Sequence, residues 1–195
     1  MLCRLCNLQI GNSNAVIGKL EFEKEKIMKE FIIREARSED AKQIIEYIRK
    51  IGAETNNLTF GSEGLPVTVE SEAMMLERMQ GERHSVMFVA EKDGEIIGNG
   101  SLNGMPRRMS HRAELGITVL KNEWNTGVGS ALMEELIDYA KKNEIEIINL
   151  EVRVDNSSAI HLYEKYGFQK IGVSPAFFKI ENEYIDFLIM YLDLR

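Results

Sequence analysis

The segment Trp124-Asn125-Thr126-Gly127-Val128-Gly129-Ser130 combines the features that phosphate chemistry needs. Glycines let a ligand approach the backbone with no Cβ in the way. An amphipathic run begins at Val128, so these residues lead into a helix, whose unpaired N–H groups and positive dipole end attract phosphate. Asn125, Thr126, Gly127, Val128, Gly129 and Ser130 therefore describe a pyrophosphate site. They equally describe a helix start that needs only a tight turn. A dinucleotide fingerprint does not fit, because it requires a third glycine where Leu132 stands. Gly11 to Lys19 is not a phosphate loop either: six residues separate its glycines and Leu20 follows the lysine.

A second stretch bears on the first. Leu150-Glu151-Val152-Arg153-Val154-Asp155-Asn156 leads through Ala159-Ile160-His161-Leu162-Tyr163 to Gly167-Phe168. This pattern resembles the hallmark of the GNAT N-acetyltransferase superfamily. The glycine segment is similar to the same family's acetyl-CoA loop, Gln/Arg-x-x-Gly-x-Gly/Ala. Both occur in the family's order and spacing, and the resemblance covers residues 30–192. One departure stands out: Trp124 occupies the Gln or Arg position, so a side-chain cation is missing there. The backbone N–H groups that carry most phosphate contacts in the family are unaffected.

The resemblance implies an enzyme that transfers acetyl from acetyl-CoA to a primary amine by direct attack in a ternary complex. The acceptor would be a small amine, an amino acid, an antibiotic or a protein N-terminus. The cofactor would lie between splayed fourth and fifth strands, its pantetheine along Ile117, Thr118 and Val119 and its pyrophosphate on Asn125 to Ser130. A backbone N–H of the fourth strand would face the oxyanion. Asn156 would contact the pantetheine arm, cap the next helix, or do both. An alkyl amine has a pKa near ~10 and must lose a proton before it attacks. Glu114 on the fourth strand is the first choice of base. Glu151 on the fifth, which resembles the base of ribosomal-protein alanine acetyltransferases, is the second. Either could equally be an ordinary surface glutamate. Tyr163 matches the family's tyrosine acid for the departing thiolate, and it also suits a buried aromatic position. Tyr166 reads as packing. The same fold without catalysis, a silent acyl-CoA-binding or sensor domain, is the other function left open. A nucleotide-binding protein of Rossmann type does not fit a hairpin ahead of the glycine motif.

The elements that must position these residues follow from periodicity. Phe31 to Glu35 is a β-rich strand. Ser38-Glu39-Asp40 starts a helix whose Ile44, Ile45, Ile48 and Ile51 share a face, and Gly52 is expected to stop it. Asn56 to Pro66 is loop, and Val69 to Met79 is a second helix with a methionine stripe for the core. Ser85 to Ala90 and Glu95 to Leu102 flank an Asp93-Gly94 hairpin turn. Ala113 to Leu120 is the fourth strand, Val128 to Asn143 a helix and Ile147 to Val154 the fifth strand. A helix from Ser157 to Tyr166 closes at Gly167. Gln169 to Val173 and Tyr184 to Leu192 are the last strands. The order β-α-α-β-β-β-α-β-α-β-β predicts an α/β fold of the α+β mixed-sheet kind, the GNAT acyl-CoA N-acyltransferase fold. Acceptor recognition would fall to Phe60, Glu63, Glu70 and Tyr184.

Composition sets the outer limits. The chain has 195 residues, 24 basic and 31 acidic, for a net charge of −7. It is 44% hydrophobic and 28% charged, the balance of a globular domain. No run approaches the ~20 apolar residues of a membrane span. A pI near 5.2 lacks the basic field of nucleic-acid binders. Neither nucleic acid nor membrane is expected as a partner, and the family resemblance leaves a homodimer open. Cys3 and Cys6 are the only cysteines, and the three histidines are not spaced as a metal set, so no metal is expected. A cysteine-free body fits a cytoplasmic location. Residues 1–27 share no periodicity with the rest. They read as a leader ahead of a start at Met28 or as a disordered arm, and 28–195 as one acetyltransferase domain.

Overall fold

The computed structural model describes residues 30–195, so Cys3, Cys6, the leader and Met28 lie outside it. Seven strands form one sheet in the order β1-β2-β3-β4-β5-β7-β6. They are β1 (Ile32–Glu35), β2 (Val86–Lys92), β3 (Glu95–Gly104), β4 (Arg112–Val119), β5 (Ile147–Arg153), β6 (Gln169–Ile180) and β7 (Glu183–Asp193). Every neighbouring pair is antiparallel except β4 and β5. Four helices pack on the sheet: α1 (Ala41–Glu54), α2 (Val69–Gln80), α3 (Val128–Lys142) and α4 (Ser157–Lys165). The mixed sheet and element order match the expected fold.

Apolar spacing explains which helix faces turn inward. In α1, Ile44, Ile45, Tyr47 and Ile51 are buried together with Leu76 and Met79 of α2. In α3, the buried Val128, Ala131, Leu132, Met133, Leu136, Ile137 and Ala140 follow a helical stripe. One apolar cluster joins α1, α2, the first strands and the first turn of α3. A second joins the rest of α3, α4 and strands β4, β5 and β7. The Asp93-Gly94 turn has both residues at positive φ, 52° and 81°, as a tight hairpin turn requires.

Two expectations differ from the structure. Helix α1 does not stop at Gly52 but runs to Glu54. A Cβ at Gly52 would lie 2.1 Å from the Gly61 carbonyl oxygen, so the glycine lets the loop after α1 lie directly on the helix. Strand β6 runs to Ile180 rather than ending at Val173, although Pro175 interrupts the pattern. A bulge between Ser174 and Phe178 restores the pairing, with Ala176 at φ 53° and its N–H donating to Asp186 at 2.8 Å. The proline falls in the bulge, where no ladder hydrogen bond is lost.

Candidate active site

Strands β4 and β5 pair over three residues only, Arg112 with Ile147, Ala113 with Ile148 and Glu114 with Asn149. Beyond Glu114 they part, which is the splay expected of the fourth and fifth strands. Backbone groups of successive strand residues point to alternate sides. Leu120 donates its N–H to Ile97, on the β3 side of the strand. Val119 and Ile117 therefore direct their N–H and C=O groups into the opening. Thr118 is turned the other way: its backbone faces β3, and its hydroxyl meets the Tyr47 hydroxyl at 2.8 Å. Burial pushes the Tyr47 phenol up, so it stays protonated and holds this bond. The Trp124 indole N–H donates to the Val119 carbonyl at 2.8 Å, which fastens the glycine loop to the end of β4.

Asn125 and Gly127 both take positive φ, 63° and 94°, and Gly127 is the N-cap of α3. The first amide bonded back along the helix is Ala131, to Gly127 at 3.0 Å. Val128, Gly129 and Ser130 are thus the helix-start N–H groups that have no carbonyl one turn behind them. The Thr126 hydroxyl donates to the Glu123 carbonyl at 2.7 Å and stiffens the approach. At Gly129 a Cβ would stand 3.4 Å from Leu162, so the glycine also serves the contact between α3 and α4. Lys165, at the end of α4, is a cation close to the start of α3. Its Nζ lies 3.4 Å from Ser130 Oγ and 5.1 Å from the centre of the Tyr166 ring. The Tyr166 hydroxyl in turn lies 2.7 Å from Glu134 and 3.2 Å from the Ser130 carbonyl. Lys165 was not among the residues expected from sequence. Its proximity to Ser130 depends on how two helices pack.

Tyr163 is 6% exposed and packs in the second apolar cluster, its ring 5.7 Å from Phe168. Its hydroxyl has no hydrogen-bond partner among the described residues, yet no fully buried side-chain oxygen or nitrogen lacks one. The hydroxyl is therefore not completely sealed from solvent. Burial pushes this phenol up, so it holds its proton at neutral pH. Asn156 caps α4 by accepting from the Ala159 N–H at 3.3 Å, which leaves its side-chain NH2 available.

The two glutamates come together. Glu114 is the strand partner of Asn149, and Glu151 lies two residues along β5, on the same face. Burial pushes the Glu151 carboxyl up, and the charge of Glu114 and a hydrogen bond between the two add to the rise. Across β7, Ile189 pairs with Glu151 and Phe187 with Arg153. Phe187 gathers Phe177 and Phe178 at centroid distances of 4.7 and 4.4 Å, so an aromatic wall borders this face. Arg153 forks onto Asp155 at 2.9 and 2.7 Å and donates to the Asn56 carbonyl at 3.1 Å, tying the loop after α1 to the end of β5. The expected acceptor residues make contacts of their own. Phe60 packs on the core, and Glu63 accepts from the Gly61 N–H at 2.8 Å. Glu70 bonds within the start of α2, and Tyr184 carries Lys179 at 5.3 Å from its ring.

A separate open pocket of about 630 Å³ lies at the opposite ends of these strands, lined by residues such as His84, His111, Lys141 and Arg195. No helix among the described residues is long and apolar enough to cross a membrane.

Residues 41–168 match the family model described as the acetyltransferase (GNAT) family. The L-amino acid N-acetyltransferase AaaT of Escherichia coli is 35% identical over 161 residues, 82% of this chain and 95% of its own. A GNAT-family acetyltransferase from Streptococcus pneumoniae superposes with a TM-score of 0.82 at 29% identity, covering 84% of this chain and 99% of that one. A phosphinothricin acetyltransferase from Sinorhizobium meliloti, solved in complex with acetyl-CoA, shares the fold at a TM-score of 0.72 and 20% identity. That match covers 84% of this chain and 88% of the other.

Proposed function

The chain belongs to the GNAT acetyltransferase family, and from that premise we propose that it moves the acetyl group of acetyl-CoA onto the α-amine of a small acceptor. The observation that carries this reading is the opening between β4 and β5. It presents backbone groups of Ile117 and Val119 on one side, helix-start N–H groups at its mouth and a pair of carboxylates on its face.

The residues present fit acetyl-CoA. Amide groups of the pantetheine arm match the strand edge at Ile117 and the Val119 N–H, and the Asn156 side-chain NH2 is a further donor. Pyrophosphate matches the N–H groups of Val128, Gly129 and Ser130, with Asn125, Thr126 and Gly127 shaping the loop. Lys165 brings a cation to the same place. Bound there, acetyl-CoA supplies an acetyl group activated as a thioester.

Glu151, rather than Glu114, takes the ammonium proton of the acceptor, because its raised carboxyl pKa brings it nearer the pKa of the amine. Glu114 holds that pKa up by its charge. The freed nitrogen lone pair then forms the new C–N bond. The excess proton left on that nitrogen passes to water as the amide forms, and Glu151 afterwards gives its own proton to solvent. Tyr163 keeps its proton in the apolar cluster and gives it from its hydroxyl to the sulfur as the C–S bond breaks. Proton exchange with solvent restores the phenol.

The test is thermal unfolding of the full chain with and without acetyl-CoA, with NAD as control, followed by thiol release with L-amino acids. Ligand at 100 times its dissociation constant stabilises by about 2.7 kcal/mol, a shift of roughly 5–10 °C for a domain of this size. A shift with acetyl-CoA alone, and thiol release that depends on the amine, are expected. Binding without thiol release would favour the silent acyl-CoA-binding reading, and no shift at all would refute both.

A further inference from the structure

Arg112 is half-buried at the start of β4, on the face that carries Glu114. Its guanidinium donates to Asn149 Oδ1, and among the described residues it has no carboxylate partner. Other arginines of the domain do pair with acids: Arg34 with Asp40 and Glu91, Arg83 with Glu144, Arg153 with Asp155. The placement of Arg112 is held from both sides. Its carbonyl accepts from the Met105 N–H at 2.9 Å, and Asn149 anchors itself by donating to the Ala113 carbonyl at 3.4 Å. One of the five N–H donors of the guanidinium is engaged, and the others have no partner among the described residues.

The neighbours give this cation a direction. Asn149 is the strand partner of Glu114, and Glu151 follows it on the same face. Arg112 and Glu114 are one strand repeat apart, about 7 Å between Cα atoms. A cation and a pair of carboxylates thus share one sheet face, with Arg112 one strand repeat before Glu114, where β4 and β5 begin to part. A free α-amino acid has the complementary arrangement, an ammonium and a carboxylate on one carbon. A simple amine lacks the carboxylate, and in a peptide N-terminus an amide replaces it. Arginine keeps its charge when half-buried and grips a carboxylate in a two-pronged geometry.

We infer that Arg112 binds the α-carboxylate of a free amino acid whose amine lies at Glu114 and Glu151, so that the acceptor is an amino acid rather than a peptide end or a simple amine. This rests on the acetyltransferase reading above and narrows its acceptor. Asn149 acts as a positioning residue that aims the guanidinium along the strand face.

The experiment presents the full chain and acetyl-CoA with an equimolar mixture of the common L-amino acids, and separately with the matching L-amino acid amides. Acetylated products are read by mass spectrometry, and kcat and KM are then measured for the best acid and its amide. The acid is expected to exceed its amide by at least about tenfold in kcat/KM, the scale of a charge-assisted hydrogen bond. Arg112→Gln brings that ratio close to one by raising KM for the acid, and Arg112→Lys recovers part of it. Retention of the acetyl-CoA thermal shift in both variants shows that fold and cofactor site are intact. Equal use of acids and amides by the unaltered chain overturns the inference and leaves acetyl transfer standing. So does an unchanged ratio in Arg112→Gln. A thermal shift with no product in either mixture overturns the inference together with acetyl transfer and favours the silent acyl-CoA-binding reading. No thermal shift and no product in either mixture overturns the acetyltransferase reading itself.

Discussion

Replacing Tyr163 by Phe should separate chemistry from structure, because the proposed acid role needs its hydroxyl and the packing of the ring does not. The ring fills a site that is 6% exposed, and Phe fills the same volume. The hydroxyl makes no hydrogen bond within the described chain, so its removal strands no partner. Stability should change by no more than about 0.5 kcal/mol. By contrast, a general acid contributes roughly 10²–10⁴ in rate, which is about 3–5 kcal/mol of barrier at 1.36 kcal/mol per decade. The expected outcome is a kcat lowered at least about a hundredfold, with melting temperature and acetyl-CoA affinity unchanged. Thiol release gives kcat, and thermal unfolding gives stability. The single tryptophan of the chain is Trp124, on the glycine loop ahead of α3, so its fluorescence serves as the readout of affinity. A kcat within threefold of the unaltered chain would refute the acid role. Tyr47→Phe provides the internal contrast: it loses the bond to Thr118 and should cost about 1 kcal/mol.

Glu114→Gln should move the acid limb of the kcat–pH profile. A carboxyl whose pKa is raised is active as base only above that pKa, so activity is lost as pH falls through a limb above the ordinary carboxylate range. Removing the Glu114 charge lowers the limb without abolishing the part due to burial; a limb that stays or rises counts against the pair. Lys165→Glu should weaken acetyl-CoA binding by roughly tenfold at low ionic strength, and the gap should narrow as salt screens it. An unchanged affinity by Trp124 fluorescence would remove Lys165 from the phosphate site. Gly127→Val meets no atom within 4 Å but forces a branched residue to φ 94°. A cost of about 1–2 kcal/mol, or roughly 2–8 °C, is expected together with weaker acetyl-CoA binding, and an unaltered melting curve would refute the backbone argument.

Much of the fold was legible because its signals are local. The alternating strands, the apolar stripe of α3, the Asp93-Gly94 turn and the stop at Gly167 are each written within a few residues, where pattern and backbone preference agree. The exceptions were places where a distant contact overruled a local cue. Gly52 carries the usual mark of a helix end, yet its role is to admit the Gly61 backbone against α1. Pro175 carries the mark of a strand end, yet the Asp186 side chain holds a bulge that lets β6 continue.

The candidate site divides along the same line. The sequence by itself placed Asn125 to Ser130, Asn156, Tyr163 and the two glutamates on named elements, because the glycine loop and the Asn-to-Gly-Phe stretch are contiguous motifs. Only the tertiary structure set which groups act together. Strand pairing decided that Thr118 faces β3 while Ile117 and Val119 face the opening, since one residue of register reverses the direction of every backbone group. The approach of β5 to β4 placed Glu151 beside Glu114 and raised its carboxyl, an effect of burial and charge at close range. Helix packing carried Lys165 to Ser130, and strand pairing left Arg112 beside Asn149 with no acid to answer it among the described residues. These are relations between residues far apart in the chain, and spacing along a sequence holds no measure of them.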